Sequence, residues 1–160
     1  MPSAPLLLGE FRRLLDERYR VAIPPQLAEP LVAESAECTL AKQRRGCLSL
    51  WSNTQWKSRL DADVELVRTK IEAGRLAGRI EEVQSLGRLL STRHRPVELS
   101  QRGRLLVPEG FREFLGVEPG GELLVVGAAV CVELWKPEAW FTYVEENMPE
   151  FRSLLDNLSA

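Results

Sequence analysis

The sequence predicts an α+β fold in which two similar β units follow one another along the chain and are joined by helices. Three observations lead to this prediction: the chain matches itself after a shift of 84 residues, short apolar runs alternate with turn residues, and apolar residues recur at helical spacing between the two units. The length of 160 residues, with 44% hydrophobic and 28% charged residues, fits an ordinary globular protein with a core of modest size.

Internal self-similarity is the most informative of these features. Residues 16–56 align with residues 100–140 without a gap, and eleven of the 41 positions are identical. Average residue usage would give roughly two or three identities by chance. All four tryptophans and two of the three cysteines are in register, so we interpret the segments as copies of one unit. The identical pairs are Arg18/Arg102, Arg20/Arg104, Pro24/Pro108, Glu29/Glu113, Leu31/Leu115, Glu34/Glu118, Leu40/Leu124, Cys47/Cys131, Leu50/Leu134, Trp51/Trp135 and Trp56/Trp140.

The first unit is expected to contain four short strands and one helix. A strand over Phe11–Leu15 and a polar turn lead into a buried strand, Arg20–Ile23. Pro24 ends that strand because proline cannot donate a hydrogen bond to the ladder. The remaining expected elements are a helix over Pro25–Leu31 and a hairpin made of Thr39–Lys42 and Cys47–Trp51.

The second unit repeats this order and has clearer turn and helix-stop signals. Gly116 supplies a helix stop, and Pro119-Gly120-Gly121 makes a turn before the hairpin. The expected elements are strands Val97–Leu99 and Arg104–Val107, a helix over Glu109–Leu115, and strands Glu122–Val126 and Val130–Trp135.

Helices are expected to connect and follow the β units. Ser52 or Asn53 can cap a helix after the first hairpin, and Pro137 suits the first turn of the matching helix. Apolar residues at helical spacing within 57–93 predict two helices. The break between them and a last helix are indicated by Gly74 with Gly78 and by Leu154, Leu155 and Leu158.

The composition excludes several classes of protein. No run of 18 apolar residues occurs, and the apolar segment Met1–Leu8 is too short for a signal peptide and lacks its basic start. Cys38, Cys47 and Cys131 have no CxxC spacing and are interpreted as reduced cytosolic thiols. His94 is the only histidine, and we find no phosphate-binding glycine loop and no nucleophile–base set. The sequence therefore predicts no enzyme, no metal and no cofactor.

Charge is spread unevenly although the formal net charge is only −2. Residues 1–56 hold seven basic and six acidic groups, residues 57–93 hold eight and six, and residues 94–160 hold six and eleven. No segment is strongly basic, so a nucleic-acid role needs a local basic patch that oligomerisation repeats. The expected helices within 57–93 carry both signs of charge, which favours subunit packing over membrane binding.

Two motifs resemble those of a known family. The first is Gly9-Glu10-Phe11 followed by Leu15-Asp16-x-x-x-Arg20-x-x-Ile23-Pro24, and the second is Leu99-Ser100-x-x-Gly103-Arg104-x-x-Val107-Pro108. Each is followed by the same cysteine–tryptophan pattern, over Cys47–Trp56 and Cys131–Trp140. Across about residues 7–145, this doubled arrangement resembles the MraZ proteins.

The resemblance implies a fold similar to the AbrB/SpoVT swapped-hairpin barrel, with the two halves acting as an intramolecular pseudo-dimer. The divisions expected on this basis are a first AbrB-like repeat at 7–53, a helical linker at 54–90, a second repeat at 91–137 and C-terminal helices at 138–160. The resemblance also implies a bacterial DNA-binding transcriptional regulator of the division and cell-wall gene cluster. Such a regulator is expected to bind direct repeats in double-stranded promoter DNA as a ring of several copies, in the cytoplasm and at the nucleoid.

Arginines near the two motifs are the candidate DNA contacts. Arg20 is expected at the base of an exposed loop, where its planar guanidinium can bind phosphate or guanine and Asp16 can fix its orientation. Arg104 takes the matching place, where Ser100 replaces the aspartate and can offer a neutral hydrogen bond. The predicted DNA-binding set is Arg13, Asp16, Arg18, Arg20, Arg102 and Arg104.

Alternatives stay open for these residues and for the function. Asp16 and Arg20 can instead form a structural salt bridge, and the other arginines can be ordinary solvated charges. The four tryptophans are expected to pack rather than stack on bases, and the basic run 91–95 either flanks the DNA-facing side or is a solvated connection. Two positions depart from the family motif: Ser100 replaces the aspartate in the second half, and Tyr19 replaces the glycine before the arginine in the first. Together with the acidic second half, these departures support a second hypothesis, an oligomeric interaction or structural protein with weakened DNA binding.

Overall fold

The computed structural model describes residues 6–160. The prediction about the apolar start of the chain therefore lies largely outside the described residues, although Leu7 forms a β-bridge with Ala129. No helix in the described part of the chain has both the length and the hydropathy needed to cross a membrane. The strands are β1 (Glu10–Leu14), β2 (Arg20–Ala22), β3 (Glu37–Arg44), β4 (Cys47–Ser52), β5 (His94–Glu98), β6 (Arg104–Leu106), β7 (Glu122–Gly127) and β8 (Val132–Trp135). The α-helices are α1 (Pro25–Leu31), α2 (Asn53–Glu72), α3 (Ile80–Arg93), α4 (Arg112–Leu115), α5 (Pro137–Asn147) and α6 (Phe151–Ser159).

The strands of the two halves interleave in antiparallel sheets. One sheet has the order β1-β7-β8-β4-β3-β5, and the other is a two-stranded ribbon, β2-β6. Exchanging β1–β4 with β5–β8 gives the same two strand orders read in reverse, so the halves are equivalent. Each half places its first strand beside the hairpin of the other half. The predicted α+β class is confirmed. The described pairings close neither sheet into a barrel, so the barrel implied by the resemblance stays a prediction.

Both faces of the six-stranded sheet are covered. The larger apolar cluster lies between one face and the ribbon with α1 and α4, and it includes Val21, Leu27, Leu105 and Leu115. The smaller cluster lies between the other face and α5, around Trp135. Folding therefore hides the strand residues of each half against elements of the other half, which is how two units too small to stand alone obtain a shared core.

The tryptophans pack as the sequence predicts. Trp51 and Trp135 are buried at the ends of β4 and β8. Trp56 and Trp140 lie against them, with ring centroids 5.9 Å and 5.2 Å apart. The three cysteines are also buried, and burial raises the pKa of the Cys131 thiol to about 12. They are protonated core residues at neutral pH.

The ungapped alignment of the two halves is wrong over one strand. Trp51 pairs with Thr39, whereas Trp135 pairs with Leu124, so equivalent positions in β3 and β7 are 85 rather than 84 residues apart. A bulge between Lys42 and Arg44 gives the first half one extra residue, which returns the offset to 84 residues in the next strand. Because side chains alternate between sheet faces, the identical pair Leu40 and Leu124 ends on opposite faces: Leu40 belongs to the larger cluster and Leu124 to the smaller.

Most helix signals in the sequence act as predicted. Ser52 is the N-cap of α2 and accepts a hydrogen bond from the Gln55 amide at 3.2 Å. Pro137 opens α5, and Gly116 ends α4 in the left-handed conformation at φ 79°. Two helices fill most of residues 53–93, with Gly74 at φ 72° after the first, and α6 confirms the predicted last helix.

The helix predicted over Glu109–Leu115 is shorter than expected. It begins at Arg112 because Gly110 has φ 87°, a left-handed conformation that interrupts a right-handed helix. The matching helix α1 has no such glycine and spans the predicted Pro25–Leu31.

The interleaved strands predict that half of the chain cannot fold alone. A fragment of residues 1–56 loses β7, the partner of β1, and β6, the partner of β2. We expect no cooperative thermal transition by circular dichroism, in contrast to the full chain. A cooperative melt of this fragment would contradict the shared core.

A close backbone approach gives a second stability prediction. A Cβ on Gly127 would lie 2.5 Å from backbone atoms of Leu7 and Leu8. Gly127→Ala is therefore expected to lower the free energy of unfolding by about 1–3 kcal/mol, as overpacking does. The control Gly87→Ala, inside α3 with nothing within 4 Å, is expected to raise it by about 0.5–1 kcal/mol. Urea denaturation of both variants measures the difference, and equal effects would contradict the close approach.

Candidate nucleic-acid interface

The ribbon places the two motif arginines on one outer face. In β2 and β6, Val21 pairs with Leu105, and both are buried under the ribbon. Side chains alternate along a strand, so Arg20 and Arg104 both project from the opposite, solvent-facing side. They are diagonal neighbours across the ribbon, a relation that puts Cα atoms about 7–8 Å apart.

The loop before Arg20 is fixed by the Asp16 carboxylate. It accepts hydrogen bonds from the amides of Arg18 and Arg20, at 2.8 Å and 2.9 Å, and from Arg20 Nε at 3.2 Å. These bonds stabilise the charged carboxylate, the Arg20 amide foremost, and they lower the pKa of Asp16 below its ordinary value of 3.8. The structural salt bridge and the orientation of Arg20 are therefore compatible, because the same Asp16 carboxylate fixes the loop backbone and binds the Arg20 side chain.

The loop before Arg104 has the same backbone path with a neutral partner. Ser100 Oγ accepts the Arg104 amide at 3.1 Å, as Asp16 accepts the Arg20 amide. This is the neutral hydrogen bond that the sequence predicts for Ser100. Among the side chains the structure describes, none forms an ion pair with Arg104, so its charge is uncompensated locally.

Tyr19 and Gly103 occupy the same left-handed turn position, at φ 60° and 73°. A tyrosine in this conformation carries a steric cost that glycine does not. Its ring is covered by the Arg112 guanidinium at 3.9 Å, and Arg112 Nε donates to the Val107 carbonyl at 2.8 Å. Tyr19, a departure from the motif, therefore joins its loop to the strand end of the other half.

The two loops are also joined by the backbone. The Ile23 amide donates to the Gly103 carbonyl at 2.9 Å, and the Val107 amide donates to the Tyr19 carbonyl at 2.8 Å. Each loop is therefore held by the strand of the opposite half, and the relative positions of Arg20 and Arg104 are set by the crossed chain.

The other predicted site residues do not all share this place. Arg18 and Arg102 lie exposed in the two loops, next to the ribbon. Arg13 lies on β1 instead, where its guanidinium donates to the Arg12 carbonyl at 2.8 Å and lies 5.7 Å from the centre of the Phe11 ring. The structure thus brings five of the six predicted residues to the ribbon and its loops and leaves Arg13 on the sheet edge.

Two residues of the outer face lie outside the predicted DNA-binding set. Ala22 and Leu106 are exposed there, Leu106 at 51%, between and beside the arginines. The alternation around the buried Val21 and Leu105 was the signal that could have found them.

The remaining basic residues lie elsewhere. His94 is half-buried against Trp56, with ring centroids 5.1 Å apart, and burial lowers its pKa. Arg44 and Arg45 are exposed and lie over aromatic rings, Arg44 at 5.0 Å from the centre of the Tyr143 ring. Within residues 6–160, no group of three or more His, Cys, Asp or Glu side chains is placed to hold a metal ion.

The Asp16 loop gives a prediction on pH. Because the folded pKa of Asp16 is lowered, its ionised form adds stability above the ordinary pKa of 3.8, and this contribution is lost as the pH falls through the folded value. Asp16→Asn is therefore expected to destabilise the protein at pH 7, and this loss should shrink as the pH falls below about 4.

The control for this experiment is Ser100→Ala in the matching loop, since its hydroxyl does not titrate over that range. Urea denaturation at several pH values measures both variants. A loss for Asp16→Asn that stays constant down to acid pH would contradict the charged role of Asp16.

Comparison with known proteins shows which proteins this chain is similar to. A family model described as "MraZ protein, putative antitoxin-like" matches residues 93–156. Relatives named "Transcriptional regulator MraZ" match most of the chain. Those of Syntrophomonas wolfei and Heliobacterium modesticaldum are 24% and 26% identical over 153 residues, 96% of each chain. That of Thermus thermophilus is 28% identical over 138 residues, 86% of this chain and 87% of its own. These matches confirm the resemblance to the MraZ proteins found in the two motifs.

Proposed function

We propose that this protein is a bacterial DNA-binding transcriptional regulator that meets DNA with the outer face of the β2–β6 ribbon. The observation that carries the proposal is the joint display of Arg20 and Arg104 on that face. The major groove of B-DNA is wide enough to admit a two-stranded ribbon, and arginine binds guanine edges and phosphates. The names of the relatives support a role in transcription.

The two arginines are suited to different contacts. Arg20 is oriented by Asp16 at 3.2 Å, and an oriented guanidinium suits a base edge, where geometry decides the contact. Arg104 has no such restraint, and an uncompensated charge suits a phosphate. Arg18 and Arg102, exposed on the neighbouring loops, are placed to contact the flanking backbone.

The finer parts of the proposal concern assembly and target. We infer that residues 7–53 and 91–137 are two swapped-hairpin units of a pseudo-dimer, which the exchangeable strand order supports. One ribbon is a small basic surface, so useful affinity needs several ribbons on one DNA. A ring of copies would match direct repeats in the promoter of the division and cell-wall cluster through avidity, at the nucleoid in the cytoplasm.

A second candidate is an oligomeric interaction or structural protein with weak DNA binding. The neutral Ser100 and the excess of eleven acidic over six basic residues in 94–160 favour it. The two functions differ in salt dependence, because binding through phosphates weakens steeply as salt rises.

The test is a titration with duplex DNA from upstream of the protein's own operon, beside a scrambled duplex, at two salt concentrations. Selective, salt-sensitive binding supports the regulator. Arg20→Ala is expected to cost about 1–3 kcal/mol and to reduce selectivity, and Arg104→Ala is expected to weaken both duplexes and lower the salt slope by about 1.

The matched control is Arg88→Ala, which removes the same charge from exposed α3. Equal binding by the folded Arg20→Ala, Arg104→Ala and Arg88→Ala proteins would exclude the ribbon as the DNA surface. Binding by the unmodified protein without preference for its own promoter would favour the second candidate.

A further inference from the structure

Helix α6 presents an apolar face that the chain leaves exposed. Phe151, Leu154, Leu155 and Leu158 follow i, i+3, i+4, i+7 spacing, so they lie on one side of the helix. Their exposures are 60%, 57%, 45% and 78%. Side chains in this arrangement are the usual anchors of a helix that binds in a groove.

A groove of fitting character lies in the helical arm, which we define as residues 53–93. Between α2 and α3 there is a cavity of about 270 Å³ lined by Val67, Leu76, Val83 and Leu86. Leu86 is 37% exposed, and the cavity is also lined by Lys70 and by the ion pair of Arg79 with Glu82. The arm thus offers apolar side chains in an open groove in which Lys70 is the cation that the Arg79–Glu82 ion pair leaves available.

The two surfaces carry opposite charge. The end of the arm, residues 68–79, holds four basic residues, Arg68, Lys70, Arg75 and Arg79, against the single acidic Glu72. Arg68 and Arg79 form ion pairs with Glu65 and Glu82 just outside this segment, so Lys70 and Arg75 are the cations offered to a partner. The segment that contains α6, residues 145–160, holds four acidic residues, Glu145, Glu146, Glu150 and Asp156, against the single basic Arg152. Complementary charge steers two surfaces together and suppresses wrong partners.

We propose that α6 of one copy docks into the arm groove of a second copy of this chain. The contact joins two different surfaces, so it is head-to-tail, and a repeated head-to-tail contact gives a ring when its rotation closes. This proposal rests on the self-assembly included in the proposed function and assigns its interface. The apolar anchors supply burial, and the acidic flank of α6 meets the basic end of the arm.

A membrane surface fits α6 less well. A helix that lies on anionic lipid is rich in Lys and Arg on its polar face. The polar residues of α6 include one cation, Arg152, which is paired with Asp156 at 3.3 Å, and acidic residues precede the helix. A second copy with a basic arm is the better partner for this charge.

The test measures molar mass by sedimentation equilibrium of the full chain. Leu154→Glu/Leu155→Glu on α6 and Val83→Glu/Leu86→Glu on the arm should each reduce the assembly to the 18.1 kDa protomer. Ser153→Glu and Gln84→Glu, on the opposite sides of the same helices, should leave it assembled. An unmodified protein that sediments as a monomer, or apolar-face variants that stay assembled, would overturn the proposal.

Mixing the two monomeric variants tests the head-to-tail geometry. The α6 variant keeps its arm and the arm variant keeps its α6, so an equal mixture can form one intact junction. The expected product is a dimer of twice the protomer mass. A mixture that stays monomeric, although circular dichroism shows both variants folded, would overturn the pairing of these two surfaces.

Charge reversal tests the same contact without changing the apolar packing. Lys70→Glu/Arg75→Glu and Glu145→Lys/Glu150→Lys should each weaken assembly by at least about tenfold at low salt, and their combination in one chain should restore it. Loss without restoration would contradict the charge pairing. Binding of each variant to a short duplex with one promoter repeat is measured separately, so a failed junction and a failed DNA surface are distinguished.

Discussion

The pairing of β2 with β6 ties the two halves of the chain into one core. Val21 and Leu105 face each other in the middle of this ribbon and are 1% and 0% exposed, so neither half can bury its strand without the other. The same pairing brings the two loops side by side, where each amide–carbonyl bond between them joins opposite halves. The outer face therefore forms only when the two halves pair, because each half contributes one of its two arginines.

The two halves share a backbone plan but differ in chemistry at matching positions. The first loop has a carboxylate and a strained tyrosine, and the second has a hydroxyl and a glycine. The Tyr19 ring is covered by Arg112 from the other half, so the strained position is supported by a contact between the two halves of the chain. Two halves with the same backbone plan thus carry different chemistry on the outer face, with one restrained arginine and one uncompensated arginine.

Much of the fold could be predicted from the sequence because local signals and the duplication agree. The proline after each ribbon strand, the Ser52 cap and the Gly116 stop each act within a few residues. The strand order could not be obtained in this way, since pairing β1 with β7 joins residues more than 100 positions apart. The bulge at Lys42 was hidden for another reason: its extra residue is balanced in the loop before β7, so an ungapped alignment looks complete. For the site, the motif gave Arg20 and Arg104, but Ala22, Leu106 and the role of Arg112 depend on which strands are neighbours.

Site-specific photo-crosslinking can show whether DNA lies on the outer face of the ribbon. A photoreactive phenylalanine in place of Ala22 stands between the two arginines, and the same residue in place of Gln84 on α3 is the control. We expect a crosslink to the promoter duplex from position 22 that is lost at high salt, and little or none from position 84. Bound DNA that crosslinks from position 84 but not from position 22 would contradict it.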